Sequence, residues 1–148
     1  MPDDDDFRGE DDFNPERNRL AAPVSELLAG AEQMFLLRLD PFRRARAGRE
    51  FHSWRVTRRI QLRSSDDRTA VAGVVESGLA TSDGSSAACF DPTIGVRARR
   101  GADWLDFVCC FDCNWIRVFA EVGEQPFRAL LLTARSPEGL PLSMLRRS

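Results

Sequence analysis

At 148 residues, with 43% apolar and 30% charged side chains, the chain is sized for one globular domain with its own core and excludes fibrous or low-complexity architectures. No apolar stretch is long enough to cross a bilayer, and the opening Met-Pro-Asp-Asp-Asp-Asp is the reverse of a secretion leader. A cytoplasmic protein with reduced thiols is therefore expected, in which metal binding or packing outranks a structural disulfide.

The net charge of −2 conceals an asymmetry: residues 1–16 hold eight acids and one Arg, the remainder is basic, and every basic side chain is Arg. Residues 1–22 lack apolar periodicity and carry like charges in blocks, as a disordered acidic tail does. A single domain is expected over 23–136 and a loose tail over 137–148.

Ser25 is placed to cap a short helix through Leu28, with Glu26 in its first turn. From Met34, the residues Phe35, Leu37 and Leu39 alternate onto one side as in a strand; a helix running to Leu39 is the rival, and Asp40-Pro41 should end either. Arg43, Arg44, Arg46 and Arg49 mark a loop. Trp54, Val56, Ile60 and Leu62 then recur at period two on one face, with only Arg58 breaking the series.

Ser64 or Ser65 caps a main helix over about 65–80, with Asp66 and Asp67 at its positive end and Val71, Val74, Val75 and Leu79 as its packing stripe. Gly73 and Gly78 weaken it by about 1 kcal/mol each relative to Ala, so it needs a sheet to hold it. Ser82-Asp83-Gly84 is a stop. Three strands follow: Ala87 to Arg99 with a break at Pro92, Trp104 to Phe111 after a turn at Arg100–Asp103, and Trp115 to Glu121. Pro126, Phe127, Leu130, Leu131 and Ala134 then read as a short amphipathic helix. The expected fold class is α+β: a mostly antiparallel sheet of four to five strands, one main helix packed on it and a short C-terminal helix.

The local chemistry is in the cysteines. Cys110 and Cys113 flank a turn that would hold their Cα atoms within about 7 Å, and Asn114 suits the left-handed backbone such turns use. Pairing about Gly101 brings Cys89 roughly opposite Cys113. Cys109 alternates with Phe107 and Phe111 and should point away from Cys110. Three thiolates with His52, the only histidine, make a tentative metal set of Cys89, Cys110, Cys113 and His52; zinc is the metal such ligands would hold, and no cofactor at all is the alternative. Thiol redox chemistry and plain core packing stay open beside it.

These residues resemble a family of small bacterial proteins of unknown function that carry a Cys-Phe-x-Pro-Arg-His box and, after a hairpin, a Cys-Phe-x-Cys box. Here the boxes read Cys89-Phe90-Asp91-Pro92-Thr93-Ile94 and Cys110-Phe111-Asp112-Cys113. The resemblance covers roughly residues 35–135 and implies the architecture and the location of a site. Ile94 stands where the family has His, so the resemblance implies an altered site.

No phosphate loop, nucleophile elbow or His-rich metal motif is present. Asp66-Asp67 is explained by capping, and Asp103 with Asp106 by a turn. The Arg38–Arg63 stretch holds nine Arg against two acids, with Phe42, Phe51 and Trp54 interleaved, a pattern able to contact nucleic acid. The expected function is a non-enzymatic binding or structural role, with metal or thiol-redox chemistry and nucleic-acid contact as alternatives. No residue set names a partner; a protein partner is open, nucleic acid ranks below it, and no membrane is expected.

Overall fold

The computed structural model describes residues 13–46, 50–86, 91–110, 113–124 and 128–134. Among them lie α1 (Ala22–Ala29), β1 (Gln33–Arg44), β2 (Trp54–Gln61), α2 (Ser65–Ala80), β3 (Ile94–Arg100), β4 (Asp103–Cys110), β5 (Trp115–Glu121) and β6 (Arg128–Thr133). The strands form one antiparallel sheet in the order β2-β1-β3-β4-β5-β6. The α+β class is as expected, but the sheet has six strands where four to five were anticipated. No described helix is long and apolar enough to cross a membrane.

Both helices lie on one face. Leu27, Leu28, Val71, Val75 and Leu79 pack there against Met34, Leu36, Val96, Leu105, Phe107, Cys109, Ile116 and Val118. α2 starts as its sequence dictates: Ser64 Oγ accepts from the backbone N–H groups of Asp66 and Asp67. Ser25 is not the cap of α1. Ala21 precedes that helix without a side-chain cap and proline opens it, while Ser25 donates to Glu76 and ties α1 to α2.

The expected C-terminal helix is instead β6. Val118 faces Leu130 and Ile116 faces Leu132, so the alternate leucines turn toward the helix-covered side. The four-residue apolar run from Ala129 to Leu132 has no period that decides between helix and strand; the open edge of β5 decides it. Asn18 seals this region: its side-chain amide donates to the carbonyls of Leu79 and Thr133, and its Oδ1 accepts from the Thr133 N–H. Asn18 and Leu20 are both buried. The packed unit therefore starts before residue 23, on the tail side of the boundary drawn from composition. The tails expected at 1–12 and 137–148 lie outside the described residues.

β1 runs on through Asp40-Pro41 to Arg44. Its pairing with β3 stops at Arg38–Ile94, so Pro41 lies beyond the stretch where β1 has two neighbours. The single apolar face anticipated for β2 is also broken. Arg38 pairs with Arg58 but Leu39 pairs with Val56, so one extra residue enters β2. The bulge reverses the strand's alternation: Ile60 and Leu62 go to the helix side, Trp54 and Val56 to the other.

Candidate functional site on the helix-free face

The face opposite the helices carries its own buried cluster: Leu37, Leu39, Phe51, Trp54, Val108, Cys110, Cys113 and Trp115. Its cover is a tight turn between β1 and β2. Phe51 and Trp54 exchange both backbone hydrogen bonds, which leaves His52 and Ser53 as a two-residue loop. Both have positive φ, 52° and 74°, the sign pattern of the primed turns that Asn-Gly normally supplies. Left-handed backbone costs a non-glycine residue roughly 1–2 kcal/mol, so side-chain contacts must hold this turn.

Those contacts converge on Asp106, a lone carboxylate at 2% exposure inside the apolar strand β4. His52 Nε2 lies 2.8 Å from Asp106 Oδ2. Arg97 on β3 grips the same carboxylate with two bonds, Nε to Oδ1 at 3.0 Å and an Nη to Oδ2 at 3.1 Å. Burial pushes the Asp106 carboxyl up, but the hydrogen bonds from His52 and Arg97 and their charges outweigh it and hold the group below its ordinary value. An ionised carboxylate only accepts, so His52 Nε2 carries the proton.

The imidazole lies flat on Phe119, with centroids 3.8 Å apart and planes 4° from parallel, and Phe51 meets its edge. Gly95 makes room beneath: a Cβ there would come within 2.7 Å of the Phe51 ring. Beside this latch is a hollow of about 250 Å³ lined by Phe35, Leu37, Glu50, Phe51, Val56, Arg59 and Arg97. Guanidinium groups stack on its aromatics: Arg59 over Phe35 at 4.1 Å and Arg97 over Phe51 at 5.1 Å, with Arg44 over Trp54 at 4.0 Å nearby.

The structure splits the anticipated metal set. Cys110 and Cys113 come together, with Cα atoms 5.2 Å apart and their sulfurs joined in a disulfide, where free thiols were expected. Asn114 has the left-handed φ, 58°, that closes this turn. Cys109 is on the opposite face as expected, and complete burial pushes its thiol far up, which makes it a poor nucleophile or ligand. Cys89 lies outside the described residues.

His52 is not brought to Cys110 and Cys113. It is bound at Asp106, four residues or about 13 Å along β4 from Cys110, because the turn that carries it folds over Asp106 and Phe119. Among the described residues no three His, Cys, Asp or Glu side chains are grouped to hold a metal ion.

Asp106 and Arg97 are the site residues that sequence reasoning missed. The sequence groups Asp106 with Asp103 at a turn; in the structure Asp103 stands at the end of β4 and accepts from the Gly123 N–H, while Asp106 is buried within the strand. The legible signal was an acid in the middle of Trp104-Leu-Asp-Phe-Val, since a buried charge requires a partner. Compared with known protein families, with curated proteins and with solved structures, the chain matches none.

Proposed function

We propose that this protein is a non-enzymatic binding module and that the helix-free face of its sheet is the binding surface. The observation that supports this reading is the hollow itself. Its floor of Leu37, Phe51 and Val56 is apolar, charged groups stand on its rim, and the His52–Asp106–Arg97 latch fixes its wall. Apolar lining with a few oriented polar groups is the usual make-up of a ligand pocket. A catalytic role for the His52–Asp106 pair is less well supported, because Cys110 stands well along β4 from it and is bonded to Cys113.

The test is a fragment screen against uniformly ¹⁵N-labelled protein, using acids, amines, zwitterions and neutral compounds. Amide shifts should cluster at Phe35–Leu37, Glu50–Val56 and Arg97. Shifts confined to the helix-covered side, or none at all, would overturn the reading.

A second reading is favoured by the Cys110–Cys113 pair, which is what a thiol–disulfide couple needs. Both sulfurs are buried, so exchange requires the β4–β5 turn to open. Mass analysis after alkylation, with and without prior reduction, should then show a reversible gain of two labels under native conditions. No gain without denaturant would dismiss it.

A further inference from the structure

β1 and β2 stay paired beyond the point where β3 leaves off, and there β1 swells. Between the Leu39–Val56 and Arg44–Trp54 pairs, the β1 residues Asp40, Pro41, Phe42 and Arg43 stand against Arg55 alone. Such bulges bend a strand and re-aim its side chains. Asp40 Oδ1 accepts from the Phe42 N–H at 2.9 Å and closes the bend, which leaves the Phe42 ring 84% exposed. Of the three aromatics interleaved with arginine in this stretch of sequence, Phe51 and Trp54 are buried, so Phe42 is the one open to a partner. Beside the bulge, Arg38 and Arg58 are directly opposed, on the same face as Leu36 and Ile60. Opposed residues have Cα atoms about 4.5–5.5 Å apart, close enough for both guanidinium groups to reach one phosphate. Arg55 lies between Trp54 and Val56, which face the other way, and so shares the face of Arg58. Like charges directly opposed repel. Among the described residues nothing neutralises them: Arg38, Arg55 and Arg58 form no ion pair, and the pairs that exist join Asp106 to His52 and Arg97.

We infer that this corner of the sheet is an interaction surface for single-stranded nucleic acid. One phosphate meets the Arg38–Arg58 pair, a second meets Arg55, and an unpaired base stacks on Phe42. Charge complementarity selects the polyanion. The exposed ring selects a single strand, because a duplex keeps its base faces stacked on one another and offers none to Phe42. Asp40 is the acid nearest these arginines along β1, and its bond to the Phe42 N–H serves to aim the ring. The surface is separate from the hollow, whose Leu37, Phe51 and Val56 belong to the opposite face of the sheet, so it does not depend on the binding-module reading.

The test is fluorescence anisotropy of a labelled thymidine-rich DNA of about 12 nucleotides, alone or annealed to its complement, titrated with the full-length protein over a range of salt concentrations. The single strand should bind at least about fivefold more tightly than the duplex. Its log affinity should fall with log salt at a slope of roughly −1.4, about −0.7 for each of two phosphates. The double variant Arg38→Gln/Arg58→Gln should roughly halve that slope, while Arg99→Gln, an exposed arginine near the far end of β3, should leave it unchanged. Phe42→Ala should weaken single-strand binding at least about fivefold at the wild-type slope. The substituted side chains are exposed or half-buried, and the unfolding midpoint of each variant verifies that it is folded. No binding of the strand in about 20 mM salt, equal binding of strand and duplex, or a slope unchanged by the double variant would overturn the inference. Displacement of the labelled strand by poly-L-glutamate as readily as by unlabelled strand would overturn it in favour of an acidic peptide.

Discussion

The two faces of the sheet are built by different physics. On the helix side, volume decides: Phe107, Leu105, Leu36 and Met34 meet the apolar stripe of α2. On the free side no described helix packs, and a short strained turn serves as the cover. A buried charge cluster holds that turn where packing area is too small to do so alone. The latched face keeps an open hollow of about 250 Å³ beside its cover.

Neighbouring residues of β4 give the largest test of this contrast. Phe107→Ala on the helix side should cost about 3–5 kcal/mol through a cavity. Asp106→Ala on the free side should cost a similar ~3–5 kcal/mol, because it strands the Arg97 guanidinium in a largely covered site. Urea denaturation measures both. They should part in acid. The carboxyl is depressed in the folded state, so its contribution is present above the ordinary Asp value, near pH 4, and is lost as pH falls through the folded value. The wild type and Phe107→Ala should lose stability over that window, and Asp106→Ala should lose less. Parallel pH profiles for all three would break the comparison.

Two glycines predict opposite signs. Gly95→Ala drives a methyl into the Phe51 ring at 2.7 Å and should destabilise by about 1–3 kcal/mol, with Trp54 fluorescence reporting a loosened turn. Gly73→Ala on α2 has no atom within 4 Å of the new Cβ and should stabilise by up to about 1 kcal/mol. A neutral Gly95→Ala would mean that the turn is not seated on the sheet.

Reducing the Cys110–Cys113 bond should lower stability by about 2 kcal/mol, the modest value for so short a loop. Measuring the unfolding midpoint with and without reductant checks this, and Cys109→Ser should respond to reductant as the wild type does.

The smallest effect dissects the turn. Ser53→Gly should relieve left-handed backbone at the loss of the hydroxyl, for a net change within about 1 kcal/mol of zero. His52→Gly relieves the same strain, yet should lower stability, since it removes the bond to Asp106 and the stack on Phe119. If both glycine variants stabilise, His52 contributes nothing to the latch.

What could be read from the sequence was local. The cap at Ser64, the stripe of α2, the Gly101 turn and the strands β4 and β5 follow from short-range sterics and apolar pattern, and all are found in the structure. The opposite orientations of Cys109 and Cys110 follow from strand alternation.

Tertiary structure decided everything that depended on a partner distant in the chain. β6 became a strand because β5 offered it an edge. The bulge in β2 sent Trp54 and Ile60 to different faces because β1 presents apolar side chains on both. His52 left the cysteines for Asp106, 54 residues away, because a buried carboxylate must be paired and the turn over it carries the nearest imidazole. Local pattern fixes which way a side chain faces; only the assembled sheet determines what stands opposite it.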